Sequence, residues 1–522
     1  MTTDRSQAMD HVVVVVFENR SLDNVLGHLY GPEDGKTFDG VIGKDLSNPI
    51  PDWAEDGADR KVVPYTVATD MNSPNPDSGE EHPHTNTQLF NISDEANRFK
   101  IQDAIGPPHN APAPGQTPTM DGFVTDYISN FTGEMGRQPT YEEYAQIMTG
   151  FTPEQVPVLN GLARGFGVFD HWFCEVPSQT LPNRSFWTAA TSSGYVWNPP
   201  TSKFIKNSNA ESIFNRLDSH GKTWKIYVSE PQALSWHAMI HYHRLEKQIA
   251  THVVPFTQFE TDAANGELPD FSFIEPNILI GHNDYHPAFG RSFGPKVALP
   301  GADPPAAILG GEELLSRIYT AYRGMQGTTG STVWNTTLLI GWDEPGGTYD
   351  HVPPPAVPSP DKASSPGELG FAFDRSGYRV PAVVVSPWIA EGEVFNEEYR
   401  HTSLIATLRE RWDLGDPFTA RDAAARTFSG VFTLDTPRDP KTWPTPKARP
   451  VPPMMQETAA LGAVLSVTGK TMLQGIRTYA AEHNLEIEGI PKDPKADIPD
   501  DQVVRVIGGF LANWFPLLAS KK

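Results

Sequence analysis

Five valines in a row, Val12 to Val16, are followed by Phe17 and then directly by Glu18 and Asn19. A run so apolar lacks the polar stripe of a surface helix and the alternation of a half-exposed strand. It reads as a strand covered on both faces, the environment of a parallel sheet flanked by helices. Runs of the same kind are Trp224 to Val228, Phe271 to Ile274, Thr337 to Gly341 and Ala382 to Ser386, with Gly167 to Phe173 as a weaker sixth. Helical patterns lie between them: Glu211 to His220 before Gly221, Glu312 to Arg323 before Gly324, and Ser403 to Arg411. Glycine just past a periodic segment is a helix stop. Strands alternating with helices predict an α/β fold, a mostly parallel sheet covered by helices on both faces.

Two stretches interrupt that rhythm. Residues 31–118 are rich in Asp, Asn, Pro and His and read as a long ordered loop insertion. Residues 435–453 read as a Pro/Lys linker, and Met455 to Ala481 and Asp501 to Leu518 beyond it carry helical patterns. The expected organisation is a main domain at 1–434 carrying the 31–118 insertion, a linker at 435–453 and a helical C-terminal appendage at 454–522.

Charge narrows the function. There are 41 Lys and Arg against 64 Asp and Glu, a net −23. That excess argues against nucleic-acid binding, which needs a basic footprint, and against adhesion to anionic lipid. The single cysteine, Cys174, excludes an intrachain disulfide and a thiolate-rich metal site. No stretch reaches the roughly 18 apolar residues of a membrane span, and the start lacks the apolar core of a secretory signal. The chain is expected to be soluble: cytoplasmic on the simple reading, secreted or periplasmic if a leader was removed.

In open α/β sheets, ligands sit beyond the carboxyl ends of the strands. Glu18 and Asn19 follow one candidate strand; Asp343 and Glu344 follow another. These four oxygen donors can converge on one hard divalent cation, calcium in preference to magnesium, manganese or zinc. The alternative is that Glu18 and Asn19 merely cap the next helix. Thr180, two residues before Pro182, stands where a helix N-cap should be. A hydroxyl there faces backbone N–H groups and the positive end of the helix dipole, which favours phosphate and an alkoxide. Asn183 and Arg184 could hold phosphoryl oxygens or brace the loop.

Histidines gather at His82 and His84; His237, His241 and His243; His282 and His286; His351; and His401. Imidazoles can donate to phosphoryl oxygens and move the leaving-group proton. His286 and His351, both in Pro-fixed polar loops after candidate strand ends, are the strongest catalytic candidates.

Glu18-Asn19-Arg20-Ser21-Leu22-Asp23, Thr180-Leu181-Pro182-Asn183-Arg184, Asn283-Asp284-Tyr285-His286-Pro287 and the block from Trp342 to Pro355 occur in that order. With Val380 to Trp388 and His401-Thr402-Ser403, they make the chain resemble the bacterial phosphoesterase family of non-haemolytic phospholipases C and respiratory-burst-inhibiting acid phosphatases. The resemblance spans roughly residues 12–428. It implies an alkaline-phosphatase-like fold, a metal on Glu18, Asn19, Asp343 and Glu344, histidines completing a phosphate pocket, and attack by Thr180 through a phosphothreonine intermediate. The helical tail departs from the repeated β-domains that the phospholipases often carry.

The leading expectation is a metal-dependent, phospholipase C-like phosphodiesterase acting on a phosphate ester. A phosphocholine-type headgroup is one candidate, with Tyr227, Trp236 and Tyr242 as a possible aromatic cage. The alternative is an acid phosphatase-like phosphomonoesterase, with His237, His241 and His243 as extra cationic donors. The non-enzyme alternative is an acidic cation-binding protein on the same fold. Sulfatase chemistry is disfavoured, because Cys174 lacks the Cys-x-Pro-x-Arg surroundings of that nucleophile.

Overall fold

The computed structural model describes residues 5–451 except 102–103, 199–202, 205–207, 231–234, 279–281 and 289–306. The appendage read at 454–522 lies outside the described residues.

Eight strands form the main sheet: β1 (His11–Phe17), β2 (Gly167–Phe169), β3 (Trp224–Val228), β4 (Val253–Pro255), β5 (Phe271–Glu275), β6 (Thr336–Trp342), β7 (Ala382–Val385) and β8 (Glu393–Phe395). Their order across the sheet is β8-β2-β7-β6-β1-β5-β3-β4. The valine run is the centre, with every residue from Val12 to Phe17 fully buried. β1 pairs in parallel with β5 and β6, and the β3 and β4 pairings beyond β5 are parallel too.

One strand runs against its expected direction. Ala382 to Ser386 reads as parallel, but β7 is antiparallel to both β6 and β2. The chain leaves β6 at Trp342 and re-enters the sheet with Ala382 opposite Gly341. A connection that returns at the edge it left must reverse the strand. The sixth run is also split: Gly167–Phe169 joins the main sheet, whereas Trp172–Phe173 pairs with Tyr399–Arg400.

Helices cover both faces, as two neighbours on β6 show. Successive strand residues point to opposite sides. A Cβ at Gly341 would meet the Trp187 ring at 2.8 Å. The Trp342 ring, on the other side, lies 5.1 Å from that of Tyr285, which in turn presses on Gly311. Trp187 belongs to a helix at Thr180–Ala189 and Gly311 to one at Ala307–Gly324.

The 31–118 insertion is more ordered than a loop. Helix α1 (His82–Phe90) packs on α2 (Phe123–Met135), and Leu89, Phe90, Phe123, Tyr127 and Phe131 build a second hydrophobic core there. Residues 435–451, read as linker, are packed on the main domain. Trp443 is buried, its ring 4.9 Å from Phe166, and Tyr319 donates to Pro444 O at 2.8 Å. Pro444 and Pro446 lie against Gly165 and Gly161 of α3 (Pro157–Gly165), where a Cβ would clash at 2.4 and 2.9 Å. The helices named above at 180–189 and 307–324 are α4 and α5, and α6 is His401–Trp412.

Candidate active site

The register sets Phe17 opposite Trp342, so Glu18 and Asp343 leave the sheet side by side, and Asp343 N–H donates to Phe17 O at 3.0 Å. Helix α4 crosses this edge. Arg184 donates to Glu18 Oε1 through Nε at 3.2 Å and Nη2 at 2.9 Å, and its Nε lies 3.2 Å from Asp343 Oδ2. Residues four apart share a helix face. Thr180, one turn before Arg184, is therefore on the face turned toward the two carboxylates.

The helix start differs by one residue from the sequence expectation. Gln179 is the N-cap and Thr180 the first helical residue. Pro182 has no N–H, and the Leu181 N–H is taken by Asn198 Oδ1 at 2.8 Å. The Thr180 hydroxyl thus has no capping duty; it is nearly buried and makes no hydrogen bond among the described residues. Asn183 braces the turn: its Oδ1 accepts from the Glu175 and Val176 N–H groups, and its amide donates to Val176, Ser178 and Gln179 carbonyls.

Asn19 has a left-handed backbone, φ 59°. Its amide donates to Glu80 Oε2 at 2.5 Å and to His286 Nε2 at 2.7 Å, while His286 Nδ1 donates to Pro287 O. Asn19 Oδ1, Asp343 Oδ2 and Glu344 Oε1 are buried without a hydrogen-bond partner among the described residues. So is Arg184 Nη1. Glu80, which sequence reasoning missed, also accepts from Gln179 Nε2 at 3.3 Å.

Four carboxylates around one guanidinium would leave an excess of buried negative charge if all were ionised. Burial holds Glu18 and Glu344 well above the usual carboxylate range, reinforced by Asp343 for Glu18 and by Glu80 for Glu344. Burial lifts Asp343 to about 6 against the pull of Arg184, and burial with Glu81 lifts Glu80 to about 8. Unpaired buried charge is costly, and a bound cation removes that cost. Two orphaned oxygens, Asn19 Oδ1 and Glu344 Oε1, with Asp343 Oδ2 that Arg184 approaches, fit an oxygen-seeking dication. Glu18, Asp343 and Glu344 do not all approach within 4.8 Å of one another; Arg184 stands between the first two.

Of the other histidines, His401 bonds the backbone oxygen of Asp343, and His82, His84, His237, His241 and His351 are held by other partners. His351 donates to Asp23 Oδ2 at 2.6 Å and lies 3.1 Å from Asp39 Oδ1. Asp23, Asp350 and His351 offer ligand atoms within 4.8 Å of one another, but Arg379 already bonds both carboxylates at 2.9 Å. His82 bonds Pro177 O at 2.9 Å, and His84 bonds Asp126 at 2.7 Å and lies 3.8 Å from Glu81 Oε2; among the described residues neither ring hydrogen-bonds to Glu18, Glu80, Asp343 or Glu344. His237 is bonded to Glu275 at 2.5 Å and His241 to the Thr188 hydroxyl at 2.8 Å, and burial drops His241 to about 3. His401 is fixed between Trp172 Nε1 and Asp343 O. Tyr227, Trp236 and Tyr242 are buried, and Tyr227 donates to Asp262, so they form no open aromatic cage.

His351 carries a pH prediction. Burial lowers its pKa, but the bonds to Asp23 and Asp39 outweigh this and raise it to about 9. Asp39 is held below the usual range, first by His351. A raised histidine stabilises the fold fully below its unfolded value of about 6.5 and loses that contribution as pH rises through the folded value. The stability gap between wild type and His351→Gln should shrink by about 2 kcal/mol between about pH 6.5 and 9. Urea unfolding at several pH values measures it; a gap independent of pH contradicts the assignment.

Among the described residues, no helix is long and apolar enough to cross a membrane. A model of the phosphoesterase family matches residues 9–415. Non-specific phospholipase C6 of Arabidopsis thaliana is 32% identical over 463 residues, 84% of this chain and 75% of that protein. Phospholipase C B of Mycobacterium tuberculosis is 24% identical over 519 residues, 92% of this chain and 89% of that protein. Among solved structures, a protein in the alkaline phosphatase superfamily from Vibrio parahaemolyticus aligns over 53% of this chain and 64% of that chain, at 12% identity and a TM-score of 0.32. A TM-score that low leaves the fold to rest on the sheet described above. The family match over most of the chain, with relatives named as phospholipases C, makes the conclusion direct: the chain belongs to the phosphoesterase family and is a hydrolase of phosphoric esters.

Proposed function

We propose that this chain is a divalent-cation-dependent phosphodiesterase of the phospholipase C type, with Thr180 as nucleophile. The observation that carries the reading is Thr180 at the start of α4, its hydroxyl uncommitted, one turn from the arginine that joins Glu18 to Asp343. Asn19, Asp343, Glu344 and Glu18 would hold the cation, which when bound neutralises phosphoryl oxygens and lowers the pKa of a nearby hydroxyl. Thr180 Oγ1 gives up its proton and bonds to phosphorus, the bond to the departing alcohol breaks, and that alcohol takes up a proton. Water then attacks, the bond to Oγ1 breaks, Thr180 regains its proton and the phosphorylated headgroup leaves. Asn183 holds the turn, and Arg184 keeps the carboxylates in register and offers Nη1 to a phosphoryl oxygen. His286 fixes the Asn19 amide; burial lowers it to about 4, so it is neutral near pH 7. His351 belongs to the structural network around Arg379.

The diester is favoured over the monoester on two grounds. The relatives are named phospholipases C. A monoester dianion profits from extra cationic donors, and His237 and His241 are buried in other bonds. The test compares p-nitrophenylphosphorylcholine, bis-p-nitrophenyl phosphate, p-nitrophenyl phosphate and p-nitrophenyl sulfate, with and without chelator. The reading expects diester cleavage that chelator abolishes; about tenfold preference for the monoester, or full activity in chelator, contradicts it. Asp343→Asn and Glu18→Gln each remove a ligand charge. Each should weaken calcium binding by about tenfold or more, measured by calorimetry on chelator-treated protein; unchanged affinity removes that residue from the ligand set.

A further inference from the structure

Glu80 lies about 60 residues from Asn19 and about 100 from Gln179, yet its carboxylate touches both. The approach is built in. Gly346 and Gly347 have φ 59° and 67°, and Cβ atoms there would meet Asn19 Cβ at 2.4 Å and Gly79 O at 2.5 Å. Ser78 donates to Gly346 O at 2.6 Å, so this bare turn seats residues 78–80 beside Asn19. Helix α1 begins two residues after Glu80 and anchors the segment from the other side.

The bonding has a directional consequence. A carboxamide has two N–H donors and one oxygen. Both donor contacts of Asn19 are used, one on Glu80 and one on His286. Its Oδ1 is therefore turned away from them and is one of the three buried ligand oxygens without a hydrogen-bond partner among the described residues. Without an acceptor at Glu80 the amide could rotate and present nitrogen to the cation. The second carboxylate oxygen accepts from Gln179, the residue just before Thr180. Gln179 Oε1 in turn accepts from Asn198 N–H, and Asn198 Oδ1 from Leu181 N–H.

We propose that Glu80 is a positioning residue that locks the Asn19 donor oxygen and the Thr180 turn to one another, through one carboxylate oxygen each. The proposal rests on the cation and nucleophile assignment above and adds to it a residue whose own removal can be read without turnover. Partners behind metal ligands commonly hold about 10–100-fold in metal affinity.

The test uses full-length wild type, Glu80→Gln and Glu80→Ala, each stripped with chelator. Calcium affinity is measured by calorimetry, and kcat and KM on a chromogenic diester at saturating calcium. The expectation for Glu80→Ala is an affinity loss of about tenfold or more and a fall in kcat with KM within about threefold. Glu80→Gln, nearly isosteric and keeping one acceptor oxygen, should fall between the two and guards against an unfolded alanine variant. Wild-type affinity and wild-type kcat in both variants overturn the role of Glu80 alone. Wild type that binds no calcium, magnesium, manganese or zinc overturns the cation reading itself, and this proposal with it.

Discussion

Thr180→Ala is expected to lower turnover by roughly three orders of magnitude or more while leaving the fold intact, because removing a covalent nucleophile forfeits the whole two-step route. The structural cost should be small. The Thr180 hydroxyl caps nothing and bonds nothing among the described residues, and the first helical position accepts alanine readily. Stability should change by about 1 kcal/mol or less. Thr180→Ser keeps a hydroxyl at the same place and should keep much of the activity. The check is kcat/KM on a diester substrate beside a thermal melt; more than about a tenth of wild-type kcat/KM in a folded alanine variant would remove Thr180 from the role.

Arg379→Met is expected to cost about 3–5 kcal/mol of stability, the usual penalty for removing one partner of a buried charge network. Arg379 is fully buried. It donates to Asp350 Oδ1 and Asp23 Oδ1 at 2.9 Å each, and to the Asp39 and Asp170 carbonyls at 2.8 and 2.9 Å. Burial already pushes Asp350 up to about 6 with the arginine present. Methionine leaves two buried carboxylates facing each other. The same mutation combined with Asp23→Asn and Asp350→Asn should recover part of the loss, because the uncompensated charges are gone. Urea unfolding of the three proteins decides it; a loss below about 1 kcal/mol for Arg379→Met would contradict a stabilising role for this network.

What could be read without a structure was mostly local. The valine run follows from composition alone, because so apolar a run suits a strand covered on both faces. That Glu18 and Asn19 come beside Asp343 and Glu344 was legible because each pair directly follows a strand, and parallel register brings those strand ends together. The direction of β7 was not legible: it depends on which edge the chain re-enters after the 343–381 excursion. The Thr180 helix starts one residue early because Pro182 and Asn198 change which first-turn N–H groups need a partner. Glu80 follows no strand, and it reaches the site only through the Gly346-Gly347 turn, a contact between distant segments. His351 sits in a conspicuous motif, but its orientation is set by Asp23 and Asp39, whose part in that pairing no spacing reveals.

The central claim is that phosphorus becomes bonded to Thr180 during turnover. Wild-type protein mixed with excess p-nitrophenylphosphorylcholine, quenched in acid within the first turnover and digested, should yield the peptide spanning Thr180 with an added mass, located on Thr180 by fragmentation. The mass should equal a phosphoryl group that retains choline if the diester reading holds. A burst of p-nitrophenol matching the adduct in amount should accompany it. A full burst with Thr180 unmodified, or the adduct on another residue, would contradict the account.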